Sequence, residues 1–288
     1  MRLALGTVQF GLPYGVANKS GQVSQNEAQS MLRIASENGI DTLDTAIAYG
    51  ESEECLGFAD VKNFKLVTKL PPVPDGCLDI SGWIHEEVTS SLLRLGVKKL
   101  YGFLLHKSED LLGPDGSELY RALDSLKEKG LVKKIGVSIY SPNELESLKK
   151  DFSFDLIQAP FNLIDQRLLH SGWMKKLKDS GIEIHTRSTF LQGLLLMKET
   201  DIPPKFAPWN GILKKWHNWL DENNMSALQA SLAFSLSFSE IDRVVVGADS
   251  LSQLQQIFDV IKLPLIFDFP SIDCDDDCLI NPSRWSGL

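Results

Sequence analysis

The chain has 288 residues, 43% hydrophobic and 23% charged, with a formal net charge of −9. That length holds a sizeable core, and the acidic balance argues against nucleic acid or an anionic membrane surface as a partner. Four cysteines are too few for a disulfide framework, and no apolar run approaches the roughly 20 residues of a membrane span.

The first residues, MRLALGTVQFG, lack the apolar core and cleavage site of a secretory signal, so a cytoplasmic protein is expected. Arg2–Gly6 (RLALG) reads as a first strand. A helix follows in SQNEAQSMLRIASENG. Ser24 is its N-cap with Glu27 three residues on, Ala28, Met31, Leu32 and Ala35 repeat at helical spacing, and Gly39 stops it.

The same alternation then recurs. DTLD leads to a short helix near Glu53–Phe58, KLVTK (Lys65–Lys69) to Trp83–Leu95, and LYGFLLH (Leu100–His106) to Glu118–Lys129. KKIGVS (Lys133–Ser138) leads to Pro142–Lys150, and FDLIQA (Phe154–Ala159) to a helix over Ser171–Ser180. IEIHTRS (Ile182–Ser188) runs through a long, proline-interrupted loop to helices at Leu213–Glu222 and Ala227–Phe238. DRVVVG (Asp242–Gly247) leads to Leu251–Ile261. The closing CDDDC segment places three residues between Cys274 and Cys278 with no histidine nearby, which reads as an acidic loop and not a metal centre.

Strand-then-helix units repeated in this way imply parallel strands with right-handed crossovers, and the count predicts an α/β fold, a (β/α)8 TIM barrel spanning 1–288 as one domain. A doubly wound sheet is the competing architecture, but no G-x-G-x-x-G follows any strand. In a barrel the active site lies at the carboxyl ends of the strands. Four residues there form a chemical set: Asp44 and Tyr49 after the second strand, Lys69 at the end of the third and His106 at the end of the fourth.

A tyrosine becomes a general acid near neutrality if its pKa falls from about 10 to about 7, roughly 4 kcal/mol. A lysine ammonium about 4 Å away at an effective dielectric near 20 supplies about that much. On this reading Lys69 tunes Tyr49, Asp44 holds Lys69, and His106 orients a carbonyl oxygen.

LDTAIAYG, VTKL, FLLH and IGVS resemble, in order and spacing, the signature segments of the aldo-keto reductases, and the likeness runs from LGTVQFG to VVVGADSLSQLQQ and NPSRW. The resemblance implies a barrel that binds a nicotinamide cofactor, usually NADPH, without a Rossmann fold, and reduces a carbonyl or oxidises the alcohol. It implies catalytic roles for Asp44, Tyr49, Lys69 and His106.

The resemblance also implies cofactor contacts. Ser138 and Gln158 match the carboxamide-binding pair, with Asp44 beside them and Ile139 where an asparagine is common. Arg187 stands where a stacking tyrosine is common. Ser188, Gln192, Gly193 and Leu194 match the pyrophosphate segment. Gly247, Ser250 and Gln253 match the loop around the adenosine 2′-phosphate, and Gln256 the adenine contact. That loop carries Asp249 and no lysine or arginine, so NADPH is expected first and NADH is also accommodated. The substrate wall is expected from Phe10, Tyr14, Phe161, Asn162, Trp209 and Trp285. No metal is expected, and the oligomeric state is not readable. Two other readings stay open: a non-catalytic, cofactor-sensing or partner-binding barrel, and an isomerase or lyase using Lys69 and His106 for proton transfer.

Overall fold

Eight parallel strands close into a barrel in sequence order in the computed structural model, which describes residues 1–263 and 268–287. They are β1 (Leu3–Gly6), β2 (Thr42–Asp44), β3 (Lys65–Leu70), β4 (Leu100–Leu105), β5 (Val132–Ser138), β6 (Leu156–Pro160), β7 (Glu183–Arg187) and β8 (Arg243–Val246). The ring closes by pairing β1 with β8, Leu5 opposite Val246. Almost every strand position is buried, because a parallel barrel strand faces its packed interior on one side and a helix layer on the other.

Capping chemistry sets several helix starts as the sequence implies. The Ser24 hydroxyl accepts from the Glu27 amide at the head of the helix Gln25–Glu37, and Gly39 follows it at φ +83°. The Asp79 carboxylate accepts from the Gly82 amide at the head of Ile80–Leu95, one turn before the expected start.

Other elements differ from expectation. The helix expected over Ser171–Ser180 is Trp173–Asp179, and an unexpected turn of helix, Arg167–His170, precedes it, the two separated by Gly172 at φ +74°. A short helix, Val8–Gly11, follows β1 where none was expected, being too short to show periodicity. The acidic C-terminal segment is not wholly loop, because the Asp276 carboxylate accepts from the Cys278 amide and starts a helix over Asp277–Ile280. No helix among the described residues is long and apolar enough to cross a membrane.

Candidate active site

The register of β2 and β3 brings Asp44 and Lys69 together at the carboxyl end of the barrel. Lys69 donates from Nζ to Asp44 Oδ1 at 2.7 Å and to the Thr45 carbonyl at 2.8 Å, and its side chain is 1% exposed. The second Asp44 oxygen accepts from Gln158 Nε2 at 2.6 Å, and Ser138 Oγ donates to Gln158 Oε1 at 3.3 Å. A continuous hydrogen-bonded chain therefore runs from Lys69 through Asp44 and Gln158 to Ser138, across β3, β2, β6 and β5.

Tyr49 lies over this chain, with Lys69 Nζ 5.1 Å from its ring centroid and the His106 ring edge-on at 5.9 Å. The loop holding Tyr49 is pinned from behind. A Cβ on Gly11 would stand 1.8 Å from the Tyr49 carbonyl oxygen, and Gly50 turns the chain at φ +55° against the Gly11 carbonyl. Ser52 Oγ donates to the Thr7 carbonyl at 2.8 Å. Glu53, in the helix Ser52–Phe58 and 1% exposed, accepts from Thr68 and Ser91 at 2.7 Å each and from Arg94 at 2.8 Å. These contacts tie the Tyr49 loop to the segment after β1, to β3 and to the helix Ile80–Leu95.

The electrostatics differ from the pairwise expectation. Burial pushes the Tyr49 phenol above its ordinary value, the Asp44 carboxylate adds to the rise, and the Arg187 guanidinium opposes it. Lys69 does not bring the phenol toward neutrality because its charge is offset by Asp44 at 2.7 Å. Burial pulls Lys69 itself below its ordinary value, against the pull of Asp44. Burial, with Lys69 and Arg187 nearby, holds the His106 imidazole down at about 4, so it is neutral near pH 7.

These residues stand on the wall of a cavity of about 990 Å³, at the upper end of ligand pockets. Asp44, Tyr49, His106, Ser138, Gln158, Arg187, Ser188, Gln192, Gly193, Gly247, Gln253, Gln256 and Tyr14 line it, as expected positions. Lys69 lies beneath the wall, behind Asp44. Leu194, 1% exposed, turns into the core, and Ser250 is used as the N-cap of Leu251–Val260. Neither belongs to the described wall.

Five of the expected substrate contacts are structural instead. Phe10 is 1% exposed in the core, and Phe161 is buried between Phe234 at 5.2 Å and Phe238 at 5.0 Å. Asn162 Oδ1 accepts from the amides of Ile164 and Asp165 while its Nδ2 holds the Ser188 carbonyl. Trp209 donates to Asp276 and Trp285 to the Leu279 carbonyl, both packed against Phe206. The side chains of Phe10, Phe161, Trp209 and Trp285 are buried in the core, and the apolar part of the cavity wall comes instead from residues such as Phe190, Leu196 and Met197.

Two wall residues carry functional geometry that sequence reasoning missed. Tyr140 stacks under the Arg187 guanidinium at 4.8 Å, so that cation already has an aromatic partner. Gln9, 8% exposed, has a buried Oε1 without a partner. Its signal in the sequence is a polar residue between Val8 and Phe10, just past a strand tip.

The cavity suits a long ligand with a polar, anionic middle. Ser188, Leu191, Gln192 and Gly193 have φ of +64°, +47°, +52° and +89°, a run of left-handed backbone costly unless it has a use. A Cβ on Gly193 would stand 2.6 Å from Ala17 Cβ, so this segment packs closely against the loop after β1. Gln192 Nε2 donates to the Tyr14 hydroxyl at 3.0 Å between the same two loops. Lys19 and Lys198 bring cations to that part of the wall.

Comparison with known proteins agrees with this geometry. The chain is 28% identical over 278 residues to the uncharacterized oxidoreductase YqkF of Bacillus subtilis, covering 88% of each. It is 26% identical over 215 residues to the aldo-keto reductase YhdN of the same organism, covering 69% of this chain and 61% of that one. The aldo-keto reductase AKR11C1 of Bacillus halodurans, in its holo form, shares the fold with a TM-score of 0.74 at 21% identity, over 92% of this chain and 88% of that one. The model of the Aldo/keto reductase family matches residues 2–269, and the chain accordingly belongs to that family of oxidoreductases.

Proposed function

We propose that the protein reduces the carbonyl group of a small molecule, or oxidises the corresponding alcohol, with a nicotinamide dinucleotide as hydride carrier. The observation that carries this is the convergence of Tyr49, His106, Asp44 and the buried Lys69 at one part of a cavity large enough for cofactor and substrate together. Ser138 and Gln158 would hold the carboxamide, the segment from Ser188 to Gly193 with Lys19 and Lys198 the diphosphate, and Gly247, Gln253 and Gln256 the adenosine. A reduced nicotinamide, when bound, supplies the hydride that the carbonyl carbon accepts.

The protein's part is to place the carbonyl oxygen and give it a proton. The Tyr49 phenol, raised above its ordinary value, is fully protonated near neutrality and ready to donate. As the carbon–oxygen π pair moves onto oxygen, the phenol O–H breaks and the new alcohol O–H forms. The phenolate left behind faces Lys69, about 5.1 Å from the ring centroid. Asp44 fixes the ammonium in that place. Neutral His106 offers a hydrogen bond to the same oxygen without competing as an acid. Water returns the proton to Tyr49 after product leaves.

The test is titration of the protein with NADH and NADPH, read by quenching of tryptophan fluorescence, followed by a panel of aldehydes, ketones and sugars. Binding of a reduced cofactor and its oxidation by at least one class of carbonyl is expected. Failure to bind either dinucleotide contradicts the reading.

A further inference from the structure

We infer that the adenosine end of the cavity is built for a free ribose diol, so that this protein prefers NADH over NADPH. The inference rests on the proposed placement of the adenosine against the loop after β8, and it reverses the NADPH preference that the family resemblance implies. A 2′-phosphate is a dianion, and a protein receives it with cations or unengaged amide N–H groups. The loop after β8 carries no lysine or arginine.

Three amides at the loop and the helix start that follows it are already engaged by the protein's own oxygen atoms. The Asp249 amide donates to Gln253 Oε1 at 2.8 Å, and the Gln253 amide to Ser250 Oγ at 3.2 Å. The Leu251 amide, at the head of the helix Leu251–Val260, donates to the carboxylate of Glu27 at 3.0 Å. Glu27 comes from the helix Gln25–Glu37, so a residue more than two hundred positions away fills the place where an anion would otherwise dock. Asp249 adds a second carboxylate on the cavity wall itself. A phosphate at this end would therefore meet the Asp249 carboxylate on the wall and a second carboxylate, Glu27, already seated on the Leu251 amide.

A ribose hydroxyl meets the opposite situation. Gln9 is a residue of the cavity wall whose Oε1 is buried and lacks a partner, and Gly247 approaches so closely that a Cβ there would stand 2.6 Å from Gln9 Nε2. The Gln9 side chain stands near enough to Asp249 to favour the charged form of its carboxylate, against the effect of burial. Two acceptors thus stand side by side, one of them unsatisfied. A hydroxyl can donate to such a pair, whereas a phosphate oxygen cannot. The wall cations Lys19 and Lys198 belong to the loops after β1 and β7, where they suit the diphosphate common to both cofactors, and Arg187 ends β7 stacked on Tyr140.

The experiment measures dissociation constants of NADH and NADPH for the wild-type protein and for Asp249→Asn, Glu27→Gln and the double variant. NADH should bind at least about tenfold more tightly to the wild type, and the double variant should narrow the ratio by about tenfold through tighter NADPH binding. Competition of ADP-ribose and 2′-phospho-ADP-ribose against NADH on the wild type alone gives the same comparison without a variant, and the unphosphorylated fragment should win. NADPH binding as tight as NADH, or equal competition by the two fragments, overturns the inference while leaving the proposed reductase standing. Binding of neither dinucleotide defeats the proposed function itself, and the inference with it.

Discussion

Lys69 Nζ lies 2.7 Å from Asp44 Oδ1 with both side chains removed from solvent. The pair is the hub of the site. Asp44 passes the contact on to Gln158, and the pair's near-neutral field explains why burial, and not the lysine, governs the Tyr49 phenol.

Breaking that pair from one side should cost stability as well as activity. Lys69→Met leaves the Asp44 carboxylate buried and short of its cation, a loss of about 3–5 kcal/mol for a buried pair. Adding Asp44→Asn to Lys69→Met should restore part of it, because no uncompensated charge remains. Chemical denaturation of the single and double variants checks both. Equal stability of the two would contradict the account of the hub.

His106 should leave a signature in the pH dependence of stability. Its folded value, about 4, lies below the unfolded value near 6.5, so the unfolded chain binds more protons between the two. Stability from this group is therefore fully present above about pH 6.5 and is lost progressively as pH falls toward 4. Denaturation of the wild type and of His106→Asn across that range should show the wild type losing stability faster. Parallel curves would show that the imidazole is not held neutral.

The glycines separate tight from open backbone. Gly11→Ala places a Cβ 1.8 Å from the Tyr49 carbonyl oxygen, so the Tyr49 loop must move. Turnover should fall at least about tenfold and stability by about 1–3 kcal/mol. Gly211→Ala, in the helix Asn210–Glu222 with open space around it, should instead raise stability by about 0.5–1 kcal/mol. Thermal unfolding and steady-state rates of the two variants check this contrast.

The barrel and the positions proposed as catalytic were more legible in the sequence than the cavity. Asp44, Lys69 and His106 could be placed because strand ends are marked by the switch from apolar runs to loops, and a barrel collects those ends at one mouth. The substrate wall could not be placed in the same way. Phe161 and Trp285 stand near the mouth in the chain, yet their apolar area is better buried against Phe234 or Phe206 than left facing a cavity. Gln9 was missed because a single polar residue in TVQFG has no period to announce it. The Tyr49 phenol was misjudged because a lysine taken alone omits both desolvation and the opposing carboxylate. The Glu27–Leu251 contact joins residues that no local pattern connects.

The central claim is that Tyr49 gives the proton to the carbonyl oxygen. It is tested most directly by the rate at which bound reduced cofactor is oxidised in a single turnover, compared between the wild type and Tyr49→Phe. Removing the phenol O–H should slow that step about 10²–10⁴-fold, the range for a lost general acid, while the dissociation constant of the cofactor stays within about twofold. Oxidation at the wild-type rate in Tyr49→Phe, with the cofactor still bound, would contradict the account.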